Sequence, residues 1–213
     1  MAKGPILIVG IMEEKHVGEQ LRKAAEQLGI DSRCMDAAEA YRGNIFLQKI
    51  TWQFGRRPIG LSTFSGKVLA AAKKAKPSVV LTTGQAPLDE VVLGEVGEMG
   101  IFLANYSTDD PWNPAHRAGW FLKALNQYNR VFSTRKANLD QFRGLGIQAE
   151  HLPFGYDPDL YFAPWENRSH SDGNLDRGEW IDDRGSEQDK VFLAGGGDED
   201  RYPLVKALQA AVS

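Results

Sequence analysis

Short apolar runs alternating with stretches of helical spacing constrain this chain more than any other feature. Ile6-Leu7-Ile8-Val9-Gly10 is a continuous apolar run ending in glycine, as a central parallel strand requires. The runs Ile30–Met35, Ser78–Gly84, Ile101–Tyr106, Arg130–Thr134 and Gln148–Leu152 read as further strands. Between them the apolar residues recur at helical intervals. Val17, Leu21, Ala24, Ala25 and Leu28 form one stripe, stopped by Gly29, and Ser65, Val68, Leu69 and Ala72 form another. Leu88, Val91, Val92 and Val96 form a third stripe, and Ala118, Phe121, Leu122 and Leu125 a fourth. Asn113-Pro114 predicts the start of that fourth helix, with asparagine as cap and proline first inside. A last helix runs through Leu139 and Phe142 behind a Ser133 or Thr134 cap, and Gly144 and Gly146 end it. Tyr41–Pro58 mixes aromatic and apolar residues irregularly with Arg56 and Arg57, and a short helix is expected there. Strands alternating with helices in this way predict an α/β fold, a Rossmann-like doubly wound parallel sheet.

Composition limits the function classes. The 213 residues hold one large or two small domains, with 42% hydrophobic and 25% charged residues as in an ordinary globular protein. A net charge of −3 with mixed signs gives no basic footprint for nucleic acid. No apolar run is long enough to span a bilayer, and Ile6–Val9 is too short for a signal-peptide core. The single Cys34 excludes an intrachain disulfide and an all-cysteine metal site. A cytoplasmic location fits these features.

Chemistry concentrates after the Ile101–Tyr106 run, in Ser107-Thr108-Asp109-Asp110-Pro111-Trp112-Asn113-Pro114-Ala115-His116-Arg117. In a parallel sheet this is the C-terminal edge, where open α/β folds bind ligands. Asp109 or Asp110 can serve as general base toward an acceptor hydroxyl; equally, the pair can form a turn with one carboxylate on a backbone N–H. Trp112 can stack on a sugar ring or pack in the core. Arg117, expected in the first helical turn, gains nothing from the helix dipole, so it should pair with Asp109 or Asp110 or bind an anion. His116 reads as an exposed helix-start residue. Arg135 and Asn138 follow the fifth strand at the same edge, as substrate contacts or a solvated helix start. Gly10 is a tight turn that can bring the Ile11–His16 loop toward a ligand, and it is no dinucleotide fingerprint. That absence disfavours a Rossmann oxidoreductase, and Thr82-Thr83-Gly84 disfavours a phospho-receiver, which needs an aspartate there.

The composition changes at Asn167, and residues 167–190 read as a polar linker or flexible insertion after a domain at 1–166. Val191-Phe192-Leu193-Ala194 then leads into Gly195, Gly196 and Gly197 and a helical stripe of Leu204, Val205, Leu208 and Val212. One strand and one helix, 191–213, cannot build a core. The glycines can admit a diphosphate to a helix N-terminus, although Asp198, Glu199 and Asp200 oppose an anion.

Four segments in series resemble the CgeB-like glycosyltransferases related to spore maturation proteins. They are Thr108-Asp109-Asp110-Pro111-Trp112-Asn113, Arg130 through Asn138, Leu152-Pro153-Phe154-Gly155-Tyr156-Asp157-Pro158, and Val191 through Gly196. The resemblance implies a GT-B fold of two Rossmann-like domains, the first holding the acceptor and the second a nucleotide-sugar donor as co-substrate. It implies no metal and no other cofactor. Asp109 and Asp110 would be catalytic, with Gly10, Trp112, Asn113, Arg117, Arg135, Asn138 and Tyr156 toward substrate and Gly195–Gly197 toward donor phosphate. The chain holds only the start of the donor half, so it is expected to be an incomplete form that transfers no sugar alone, and to self-associate or use a partner chain. The alternative is a non-catalytic glycan- or protein-binding domain derived from a glycosyltransferase.

Overall fold

The computed structural model describes residues 4–155. Tyr156, residues 167–190 and Gly195–Gly197 lie outside the described residues. Six strands form one all-parallel sheet: β1 (Ile6–Gly10), β2 (Ser32–Asp36), β3 (Val79–Thr83), β4 (Phe102–Ser107), β5 (Arg130–Ser133) and β6 (Gln148–His151). The helices between them are α1 (Val17–Gln27), α2 (Ile45–Gln53), α3 (Leu61–Ala75), α4 (Glu90–Glu98), α5 (Gly119–Ala124) and α6 (Leu139–Gly144). This is the Rossmann-like α/β architecture expected from the alternation.

The strand order is β2-β1-β3-β4-β5-β6. The chain steps outward from β1 to β2, then returns past β1 and continues in the other direction. Right-handed crossovers therefore place α1 on one face of the sheet and the later helices on the opposite face. Burial follows that division. Leu7, Val9, Val80, Leu103, Val131 and Ala149, on alternate strand positions, share one core with Phe64 and Val68 of α3, Leu93 of α4, Phe121 of α5 and Phe142 of α6. Ile8 of β1 and Ala25 of α1 are buried outside that core. The direction reverses between β1 and β3, where doubly wound sheets open a crevice at the C-terminal edge.

Two boundaries differ from the sequence expectation. β2 begins at Ser32, because Gly29 takes φ +64° and the Ile30 N–H donates to the Ala25 carbonyl, making Ile30 part of the helix exit. The helix expected from Pro114 starts at Gly119. The Asn113 side chain accepts from the Ala115 N–H at 2.9 Å, and its carbonyl accepts from the His116 and Arg117 N–H groups. Asn113 thus closes a single turn, and buried Ala118 is extended (φ −119°, ψ 115°) before α5 begins.

Beneath the sheet edge lies a buried polar chain. Asn105 Nδ2 donates to Thr82 Oγ1 at 2.7 Å and to the Gly84 carbonyl at 3.0 Å, and Thr82 Oγ1 donates to the Tyr128 hydroxyl at 3.0 Å. Burial pushes the Tyr128 phenol well above the ordinary tyrosine range, the Thr82 hydrogen bond opposing this in part. The folded protein keeps that proton at pH values where the unfolded chain loses it. The resulting stability is fully present below about pH 10, the unfolded tyrosine value, and is lost as pH rises beyond it. Denaturant unfolding across that range should show Tyr128→Phe losing less stability with pH than the parent protein does.

Candidate functional site

The crevice between β1 and β3 exists because two glycines meet there. Gly10 ends β1 and Gly18 lies in the first turn of α1, and both are buried. A Cβ on Gly18 would stand 2.6 Å from the Ile11 carbonyl oxygen and 3.1 Å from the Gly10 carbonyl carbon. A Cβ on Gly10 would stand 2.3 Å from Thr83 Oγ1 and 3.1 Å from Gly18 Cα. The glycines are far apart in sequence for a dinucleotide fingerprint, yet they let α1 start directly against the strand end. The positive end of the α1 dipole faces the opening there. Across the crevice, Gly84 turns the chain out of β3 at φ +57°, and its N–H donates to the Tyr106 carbonyl.

The segment after β4 supplies the next wall, and its two carboxylates have different settings. Asp110 Oδ1 accepts from the Trp112 N–H at 3.0 Å and from Asn138 Nδ2 at 2.9 Å. It closes a turn and ties that turn to the segment before α6. Asn138 is buried, also donates to Gln141, and leaves its Oδ1 without a partner among the described residues. Asp109 is exposed at the crevice, with Thr108 Oγ1 donating to its Oδ2 at 3.1 Å. The rest of the segment is fixed from two sides. The Arg56 guanidinium donates to the Ala115 carbonyl, and Gln85 Nε2 donates to the His116 carbonyl at 3.0 Å. Trp120 Nε1 donates back to the Arg56 carbonyl at 3.0 Å.

Together these walls enclose a cleft of about 460 Å³, with His16, Gly18, Trp52, Gly84, Asp109 and Trp120 among its lining residues. Lys15, Arg56 and His116 also line it, and Asp109 is the one carboxylate among the described lining residues. Tyr41 closes one side against Trp52, the rings edge-on at 64° with centroids 6.5 Å apart. Burial raises the Tyr41 phenol above the ordinary tyrosine value. Broad aromatic walls, one carboxylate and a rim of bases suit a hydroxyl-bearing ligand that carries an anionic group. Among the described residues no group of three or more His, Cys, Asp or Glu side chains could hold a metal ion.

The residues singled out from sequence divide accordingly. Asp109 and His116 reach the cleft, and Gly10 supports it from below. Trp112 packs on Phe142, centroids 4.7 Å apart at 67°, as part of the core periphery. Asp110 and Asn138 hold each other, and Asn113 is spent on its own turn. Arg117 is exposed, outside any helix, and forms no ion pair with Asp109 or Asp110 among the described residues. Arg135 is half-buried just after β5, and its N–H donates to Ser133 Oγ. Trp52, Trp120, Tyr41 and Gly84 join the lining in addition to the residues expected from sequence. Thr83-Gly84 carried a usable signal, since it ends a strand at the same sheet edge; Trp52 and Trp120 carried none.

Fold and crevice define a Rossmann-like α/β domain with a ligand-sized cleft at its topological switch point. No protein-family model and no curated protein matches the chain. Among solved structures it is similar to the UDP-GlcNAc 2-epimerase of Methanocaldococcus jannaschii, solved in complex with UDP-GlcNAc and UDP. The identity is 14% and the TM-score 0.48, and the match covers 68% of this chain and 45% of that one. Among the described residues no helix is long and apolar enough to cross a membrane.

Proposed function

We propose that the cleft holds the acceptor in a sugar transfer from a nucleotide-sugar donor, so that the described domain forms the acceptor side of a GT-B-like glycosyltransferase. The observation that carries this reading is the separation of the two carboxylates. Asp110 is held in a structural turn, while Asp109 faces a cleft walled by Trp52 and Trp120. An aromatic face suits the C–H face of a sugar ring, and a carboxylate within hydrogen-bond reach can take the proton from an attacking hydroxyl. Donor contacts fall to residues outside the described domain, Gly195–Gly197 among them. The resemblance to the CgeB-like proteins supports the same assignment.

A second reading is a glycan-binding domain without catalysis, since aromatic walls and one exposed carboxylate suffice to hold a sugar without any proton transfer. Calorimetric titration of the full chain with methyl glycosides and UDP-sugars, alongside a transfer assay, tests both. Asp109→Asn is expected to weaken glycoside binding by about tenfold, as loss of a hydrogen bond to a charged group does. Any transfer that the chain supports should fall by about 10²–10⁴ in rate. Transfer by the parent chain that Asp109→Asn abolishes favours the catalytic reading; glycoside binding without transfer is expected of both, since donor contacts fall outside the described domain. No binding of any glycoside contradicts both.

A further inference from the structure

Helix α2 is built inside out. Its half-buried positions include Gln48 and Thr51, and it has no fully buried residue. Phe46, Ile50 and Phe54, spaced four residues apart, share one outer stripe with Leu47, and Ile45, 70% exposed, flanks it. Phe46 is 71% exposed, Phe54 85% and Leu47 50%. A surface helix ordinarily turns its apolar stripe toward the core. Scattered exposed apolar residues need no explanation, but a contiguous stripe on one helix does.

The charge around that stripe is one-sided. No Asp or Glu occurs between residues 40 and 88, in a chain whose net charge is −3. Lys49 sits within α2, and Arg56 and Arg57 follow it. None of these three forms an ion pair with a carboxylate among the described residues. The Arg56 guanidinium instead lies 5.9 Å from the centre of the Trp52 ring. With Arg56 engaged at the Ala115 carbonyl, exposed Lys49 and Arg57 remain beside these aromatic and aliphatic side chains, a combination that suits insertion among acyl chains with the cations among anionic headgroups. A second copy of the chain fits less well. A two-fold contact on this stripe would set the Lys49 and Arg57 rim of one copy against a surface whose own flanking segment carries no carboxylate.

We propose that α2 seats this protein on an anionic membrane surface. The seat is independent of what the cleft binds, although Trp52, from the same helix, lines that cleft. The test is co-sedimentation of the full chain with vesicles of phosphatidylcholine and phosphatidylglycerol in equal parts, against phosphatidylcholine alone. Binding is expected to the anionic vesicles, to weaken as salt rises, and to fall by about tenfold or more for Phe46→Ser combined with Phe54→Ser. Lys49→Glu with Arg57→Glu should abolish the preference for anionic lipid. These side chains are exposed, so unchanged thermal unfolding of the variants should confirm that the fold is intact. Three results would overturn the proposal: no binding to the anionic vesicles, equal binding to both vesicle types, or binding that the phenylalanine variant leaves unchanged. Sedimentation equilibrium showing a dimer that the same variant dissolves, without vesicle binding, would assign the stripe to a second copy instead.

Discussion

Phe142→Ala is expected to lower the unfolding free energy by about 3–5 kcal/mol, the range for truncating a buried phenylalanine. Against a typical total of about 5–15 kcal/mol this is a large fraction of the stability. The effect should lie near the top of its range because α6 has few other anchors. The helix spans six residues, and Phe142 is its one buried side chain. Trp112 rests on that ring, so the cavity would extend to the turn that Asp110 closes. Denaturant titration measures the loss. A red shift of tryptophan emission in the folded variant should accompany it as Trp112 meets water. Loss of less than about 1 kcal/mol, or unchanged emission, would mean that α6 and the turn are held by other contacts.

Gly18→Val should destabilise the protein by about 1–3 kcal/mol and weaken ligand binding in the cleft. The added Cβ meets the Ile11 carbonyl oxygen and the Gly10 backbone, neither of which can rotate away as a side chain would. Relief requires α1 to move off the end of β1, taking its positive N-terminal pole with it. A valine that stabilised the protein would mean that α1 does not start against Gly10. At about 2–4 °C per kcal/mol for a domain of this size, thermal unfolding resolves either outcome.

Most of the architecture was legible because strand and helix have different periods. β1, β3, β5 and β6 fall within the stretches that read as strands in the sequence, and β4 runs one residue beyond its stretch, to Ser107. β2 was misplaced by two residues because Ile30, apolar and β-branched, is used to leave α1 rather than to enter the sheet. The start of α5 was misplaced because Asn113 caps a one-turn structure with the same local chemistry as a helix start. Nothing in Asn113-Pro114 tells the chain how many turns will follow. In α2 the pattern reads irregularly because the apolar stripe faces outward, so no burial disciplines it.

The site was legible as a place and not as a set of residues. The sheet edge after β4 follows from topology alone. Which aspartate faces the cleft depends on Asn138, which is remote in sequence and holds Asp110. Whether Trp112 or another tryptophan meets a ligand likewise depends on Phe142, which takes Trp112 into the core periphery. Long-range partners decided both questions, and a local motif does not contain them.

A ligand in the crevice between β1 and β3 would lie against Gly18, Gly84 and Trp120. Heteronuclear NMR of the full chain, titrated with the methyl glycoside or UDP-sugar that binds in calorimetry, tests that placement most directly. Shift changes are expected to concentrate at the Gly18 and Gly84 amides and the Trp120 indole N–H, with weaker binding by Asp109→Asn. Shifts confined to the separate groove lined by Glu39, Ile59 and Lys67, with Gly18, Gly84 and Trp120 unmoved, would contradict that placement.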